Sequence, residues 1–206
     1  MPKETILVTH GFGGHWLVML PLCRKLRTMG YNVINWGYRS LWKDNQRHAE
    51  ALREQVEKLE QDESIERFHL VAHSMGNILV RVMLRDYQPT KLGRIVMITP
   101  PNKGSHVATK AATVFGWLST TLKEIRDTED SLVNQLDHQI DPDYEVGIIQ
   151  AMTDLVVHRP ATKLEEAKEY ILLPGFHSSV LLRQSCAEEV DDFLSQGSFN
   201  PESQTH

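Results

Sequence analysis

Cysteine is scarce: the chain has two in 206 residues. Cys23 and Cys186 lie far apart, both in predicted helices. That cannot build a disulfide framework, and two free thiols suit a cytoplasmic protein. Long apolar runs are lacking as well, so no transmembrane segment is expected. The first residues, Met1 to Val8, enter a strand at once, with neither the apolar stretch nor the cleavage site of a signal peptide. Positive charge is not in excess either. The net charge is −5, and no basic stripe or aromatic–basic interleaving occurs, which argues against nucleic acid as a partner. There is no internal repeat and no low-complexity tract.

What is present is an ordinary globular composition, 41% apolar and 24% charged, enough for one α/β domain with a single large core. Strand and helix patterns alternate. Candidate strands are Thr5–His10, Tyr31–Gly37, Phe68–Ala72, Arg94–Thr99, Glu145–Met152 and Glu169–Pro174. Helical patterns fall at Leu17–Met29, Asn45–Gln61, Met75–Tyr87, His106–Lys123 and Ser178–Ser195. Strands such as Arg94-Ile95-Val96-Met97-Ile98 are nearly continuous in apolar residues. That predicts burial on both faces, hence a mainly parallel sheet of about six strands with helices on both sides. The expected domain covers residues 1–195, followed by a polar tail, 196–206, that frays. The longest stretch between strands, 103–143, is too short for a large cap domain. Val107, Ala111, Val114, Leu118 and Leu122 form one stripe on it, which fits either a short lid or a core helix.

In a parallel sheet, ligands gather outside the carboxyl ends of the strands, and the chemically capable residues fall there. Phe68–Ala72 runs into His73-Ser74-Met75-Gly76, which puts Ser74 at a sharp strand-to-helix turn with the helix N-terminus aimed at it. After the first strand comes His10-Gly11-Phe12-Gly13-Gly14, a loop whose glycines let backbone approach closely. The N–H groups of Phe12 and Met75 are the expected oxyanion donors. A phosphate cradle is the competing reading of that loop, but neither G-K-[ST] nor G-x-G-x-x-G occurs. Asp154 follows the fifth strand and is the best-placed orienting acid; Asp141 and Asp143 lie at that strand's wrong end. His177 follows the sixth strand. Of ten histidines, it alone has the required order and position. His10 and His73 flank the nucleophile and oxyanion loop and support them, while His48, His106, His138 and His158 read as loop or helix-surface residues. His69 and His73 are spaced i,i+4, but on a strand that spacing is not a ligand pair, and no H-E-x-x-H occurs, so no metal site is expected.

The order Ser74, Asp154, His177, with Val8-Thr-His-Gly-Phe-Gly-Gly, Leu70-Val-Ala-His-Ser-Met-Gly and Thr99-Pro-Pro-Asn-Lys-Gly-Ser, resembles the α/β-hydrolase superfamily. Within it, the chain is similar to the small lipase- and esterase-like members with minimal or no lid. Ala72 stands where the usual elbow has glycine, as in minimal bacterial lipases. Asn77, where many relatives carry a second glycine, is a departure expected to narrow the leaving-group side. The resemblance implies a serine hydrolase acting on carboxylic esters of small molecules or lipids. Ser74 is then the nucleophile, His177 the general base and Asp154 the orienting acid, and no metal or organic cofactor is needed. Trp36, Tyr38, Phe115 and Trp117 are the expected pocket residues, although aromatic core packing explains Trp36 and Tyr38 equally well. A thioesterase or amidase variant, or a catalytically silent fold used as a binding module, are the alternatives.

Overall fold

The structure, a computed structural model, describes residues 3–40, 45–103, 136 and 140–200. The elements are β1 (Lys3–Thr9), α1 (Trp16–Thr28), β2 (Tyr31–Trp36), α2 (Asn45–Gln61), β3 (Phe68–His73), α3 (Gly76–Asp86), β4 (Leu92–Ile98), β5 (Glu145–Ala151), β6 (Ala167–Leu173) and α4 (Gln184–Gln196). The six strands form one sheet in the order β2-β1-β3-β4-β5-β6. Every neighbouring pair is parallel.

Each central strand is buried on both faces, so its residues alternate between two cores. Leu70, Ala72, Ile95, Met97 and Ile148 join α2 and α3 on one side. Val71, Val96, Ile98 and Ile149 join α1 and α4 on the other. Helix α3 is buried from Gly76 through Leu84, as befits a helix apolar nearly all round. It cannot move without opening the core, so the turn before it is held firmly. Truncating a side chain such as Leu79 to Ala there would cost about 2–5 kcal/mol.

Register aligns the strand ends. Thr9 pairs with Ala72, His73 with Ile98, Ile98 with Ile149 and Ala151 with Leu173. All the loops that carry the candidate residues therefore leave one edge of the sheet.

Three expectations about the fold differ from what is found. The predicted last helix, Ser178–Ser195, is a 3-10 turn (Ser179–Leu182) followed by α4, with Arg183 extended between them. The break lets buried Val180 and Leu181 pack before the chain turns along the sheet. The polar tail does not leave the fold at residue 196: Phe199 is buried against Phe193, and its N–H donates to Glu169. His48 is no surface residue, since it is buried beside Tyr38 with ring centroids 4.7 Å apart. The lid-or-core helix within 103–143, with Phe115 and Trp117, lies largely outside the described residues.

Candidate active site

Ser74 sits between β3 and α3 with a left-handed φ of 52°. A non-glycine residue holds that conformation only where its surroundings impose it, and nucleophile elbows are such places. Here its N–H donates to Ile98 O (2.9 Å), and its carbonyl accepts from Asn77 N–H and the Asn77 side-chain amide. The same amide donates to Ile98 O at 3.2 Å. Asn77 is thus turned inward and fully buried, contrary to the expectation that it narrows the leaving-group side. Its amide finds carbonyls at the strand ends, and staples the bend to β4.

The loop after β1 lies directly against this serine. A Cβ on Gly11 would stand 2.6 Å from Ser74 Cβ, and one on Gly76 would stand 2.7 Å from His10 O. Only glycine permits such an approach. Among the described residues the N–H groups of Phe12 and Met75 have no hydrogen-bond partner; unpaired donors beside a serine can donate to a developing oxyanion. The loop is braced from behind. His10 Nδ1–H donates to Gly11 O, and its Nε2 accepts from Tyr38 N–H (3.2 Å). The Tyr38 hydroxyl donates to His10 O, and Gly13 N–H donates to Ser40 Oγ. Tyr38 stacks on His10 at 4.4 Å and on Trp36 at 5.2 Å. Trp36 and Tyr38, expected to line a substrate pocket, pack against the core on the α2–α3 side. Sequence reasoning missed Ser40 and the bracing role of Tyr38, because the contacts span nearly thirty residues and follow no motif.

The loops after β5 and β6 continue to pair beyond the sheet: Met152 N–H donates to Leu173 O and Thr153 N–H to Gly175 O. That brings Asp154 and His177 together. His177 Nδ1–H donates to Asp154 Oδ2 at 2.8 Å, and His177 Nε2 lies 2.8 Å from Ser74 Oγ. The Asp154 carboxylate is buried and also accepts the N–H groups of Val156 and Val157, each at 2.8 Å. Burial would raise its pKa. The bond and charge interaction with His177, together with those two N–H groups, outweigh this and hold the carboxyl below its ordinary value. His177 is held through its carbonyl, which accepts from His73 Nε2–H (3.1 Å) and Thr99 Oγ1 (3.4 Å). Thr99 itself is strained, with φ 45°. His73 is fully buried, and burial, helped by His177, lowers its pKa to about 3. It is therefore a neutral donor. Burial pushes both thiols up, Cys23 to about 11 and Cys186 to about 12, so neither is a nucleophile. Among the described residues no cluster of His, Cys, Asp and Glu could hold a metal ion, and no helix is long and apolar enough to cross a membrane.

The parallel sheet, the serine on its strained turn and the loops at one sheet edge are those of the α/β-hydrolase superfamily. Within it, the chain belongs to the family described as serine aminopeptidase, S33, which matches residues 1–144. No curated protein sequence matches the chain. The mature form of a lipase from Bacillus licheniformis superposes with a TM-score of 0.74 at 14% identity, over 97% of this chain and 95% of that one. The propeptide form of that lipase gives the same TM-score at 16% identity over 88% of this chain. There the chain spans 48% of the longer protein. An esterase from Pyrococcus furiosus superposes at 0.71 with 17% identity, over 95% of this chain and 83% of that one. At such identities the likeness is one of fold.

Proposed function

We propose that this chain is a serine hydrolase cleaving carboxylic esters through an acyl-enzyme on Ser74. The observation that carries the reading is the continuous hydrogen-bonded chain Asp154–His177–Ser74, 2.8 Å at each link. Ser74 Oγ attacks the acyl carbonyl as His177 Nε2 takes its proton. Asp154 fixes the tautomer of the imidazole and stabilises the imidazolium that forms. The carbonyl oxygen gains negative charge and turns to the N–H groups of Phe12 and Met75. His177 then returns the proton to the departing alcohol. Water hydrolyses the acyl-enzyme with His177 again as base.

The surroundings suit an apolar acyl group. The loops bearing Asp154 and His177 also expose Leu155 and Phe176. The lipase and esterase relatives have names in keeping with an ester, whereas the family description speaks for an amide as the variant to test beside it.

The test is hydrolysis of p-nitrophenyl esters from acetate to palmitate, with aminoacyl p-nitroanilides alongside, comparing the native chain with Ser74→Ala. Serine-dependent ester turnover is expected, with the variant reduced by several orders of magnitude and its melting temperature unchanged. Turnover of anilides alone would replace the ester with an amide. Absence of turnover together with absence of fluorophosphonate labelling at Ser74 would leave a binding module.

A further inference from the structure

In this sheet, most connections between parallel strands carry an α-helix that covers one face. The connection from β5 to β6 does not: residues 152–166 hold only the 3-10 turn Arg159–Thr162. As a result the edge strand β6 is unevenly covered. Ile171 and Leu173 are buried on the α1–α4 side, whereas Tyr170 and Leu172, on the opposite face, remain 39% and 38% exposed.

Under the short turn lies a cavity of about 400 Å³. Its walls are Pro160, Leu172 and the ring of Tyr170. That ring is immobilised because its hydroxyl donates to Leu164 O and accepts Leu164 N–H. The Glu166 carboxylate acts on this hydroxyl from outside the lining, and among the described residues its buried Oε1 has no hydrogen-bond partner. The floor is polar. Gln150, 7% exposed, accepts from Thr162 Oγ1 through Oε1 (3.2 Å), but its Nε2 amide donor has no partner. A buried donor without an acceptor is rare in a folded protein and marks a place where a ligand acceptor would be welcome. Ile171 and two cations, Arg159 and Lys163, complete the lining. Among the described residues neither is ion-paired; the guanidinium of Arg159 bonds only to Met152 O.

We propose that this cavity binds an anionic amphiphile: one carboxylate on an unbranched hydrocarbon body, as in a medium-chain fatty acid. Arg159 and Lys163 supply the charge opposite the carboxylate, with the buried Gln150 in the same lining, and the Tyr170, Leu172 and Pro160 surface covers the chain. A volume of this order falls in the range of small-molecule pockets. The site is separate from Ser74 and does not rest on the hydrolase reading.

The test uses the full chain carrying Ser74→Ala, labelled with ¹⁵N and titrated with decanoate and, separately, with decanol. Decanoate is expected to shift the Gln150 side-chain amide and the backbone amides of Thr162 and Leu172 saturably, with decanol at least tenfold weaker. Lys163→Gln combined with Arg159→Gln raises the decanoate Kd at least fivefold, and Leu172→Trp, which fills the cavity from an exposed position, abolishes these shifts. Decanoate shifts confined to the surroundings of Ser74 and His177 would overturn the proposal, as would equal binding of decanol. Shifts at the cavity that follow protein concentration without any decanoate would also overturn it, by making a second copy of the chain the occupant.

Discussion

His69 and His73 lie four residues apart on β3, and both are buried. At the amino end, both nitrogens of His69 are used: Nε2–H donates to Glu4 (2.6 Å), and Nδ1 accepts from Arg94 N–H (2.9 Å). Beside it, Arg94 and Lys168 both pair with Glu145. At the carboxyl end, His73 has one hydrogen-bond partner among the described residues, the carbonyl of His177, and its Nδ1 is unsatisfied there. Strained Ser74 and Thr99 are at the same end, with the N–H groups of Phe12 and Met75, which have no partner among the described residues. One strand thus has an end where polar groups are matched and an end where they are left available. Stability is concentrated at the first, and the capacity for chemistry at the second.

The largest test of that contrast is Asp154→Asn. The substitution keeps the size of the side chain but removes the charge that, in the proposed hydrolase mechanism, fixes the His177 tautomer, so on that reading kcat should fall about 10⁴-fold. Thermal melting above pH 5 should change far less. A loss below tenfold would mean that the carboxyl end is no more specialised than the amino end.

Next comes acid. The unfolded chain takes a proton on His73 near 6.5, while the folded chain resists until about 3. Between those values the unfolded state binds more protons, so stability rises with pH by up to ~1.4 kcal/mol per unit. Lowering the pH from 7 to 5 should remove about 2 kcal/mol by this route. Burial also lowers the pKa of His69, but the Glu4 bond and charge oppose it. Denaturation at both pH values should therefore show a flatter dependence in His73→Asn than in His69→Asn. Equal flattening would erase the distinction between the two histidines.

Asn77→Gly probes the staple rather than the charge. Two carbonyls, of Ser74 and Ile98, lose their side-chain donor, a loss of about 1–3 kcal/mol in a buried setting. If that energy holds Ser74 in its strained conformation, kcat and the rate of fluorophosphonate labelling fall together, roughly tenfold, while KM stays put. Unchanged labelling with a lower melting temperature would make Asn77 a helix cap alone.

Legibility in the sequence followed the same division. The parallel sheet and its flanking helices were readable because a strand buried on both faces writes itself as a continuous apolar run. Ser74 and Asp154 stood out because each follows such a run, and His177 because it follows the last strand, half-exposed though that strand is, in a recognisable order. The inward turn of Asn77, the brace from Tyr38 and Ser40, and the grip of His73 and Thr99 on the His177 carbonyl were not readable. These depend on which carbonyls the register leaves open at the sheet edge, and no local pattern records that. The uncovered face of β6 was likewise hidden: the missing helix shows as a connection of ordinary length, and its consequence appears only when the edge strand is in place.

The smallest expected effect is at the amino end. Glu4 is partly exposed, its side chain 41% accessible. Replacing it with Gln keeps an acceptor for His69 Nε2–H and removes only a screened charge, at a cost below about 1 kcal/mol. Activity should stay within twofold of the native chain, because the register that places Ser74 is fixed by the backbone pairing of β1 and β3 from Thr5 to Thr9 and not by this ion pair. That near-silence is informative. The same strand transmits a change at His73 directly to His177, two hydrogen-bonding groups from Ser74. A change at His69 must travel through four residues of buried, two-sided backbone pairing. Should Glu4→Gln lower kcat several-fold at unchanged KM, the two ends of β3 would be mechanically coupled, and the division between a stabilising end and a reactive end would fail.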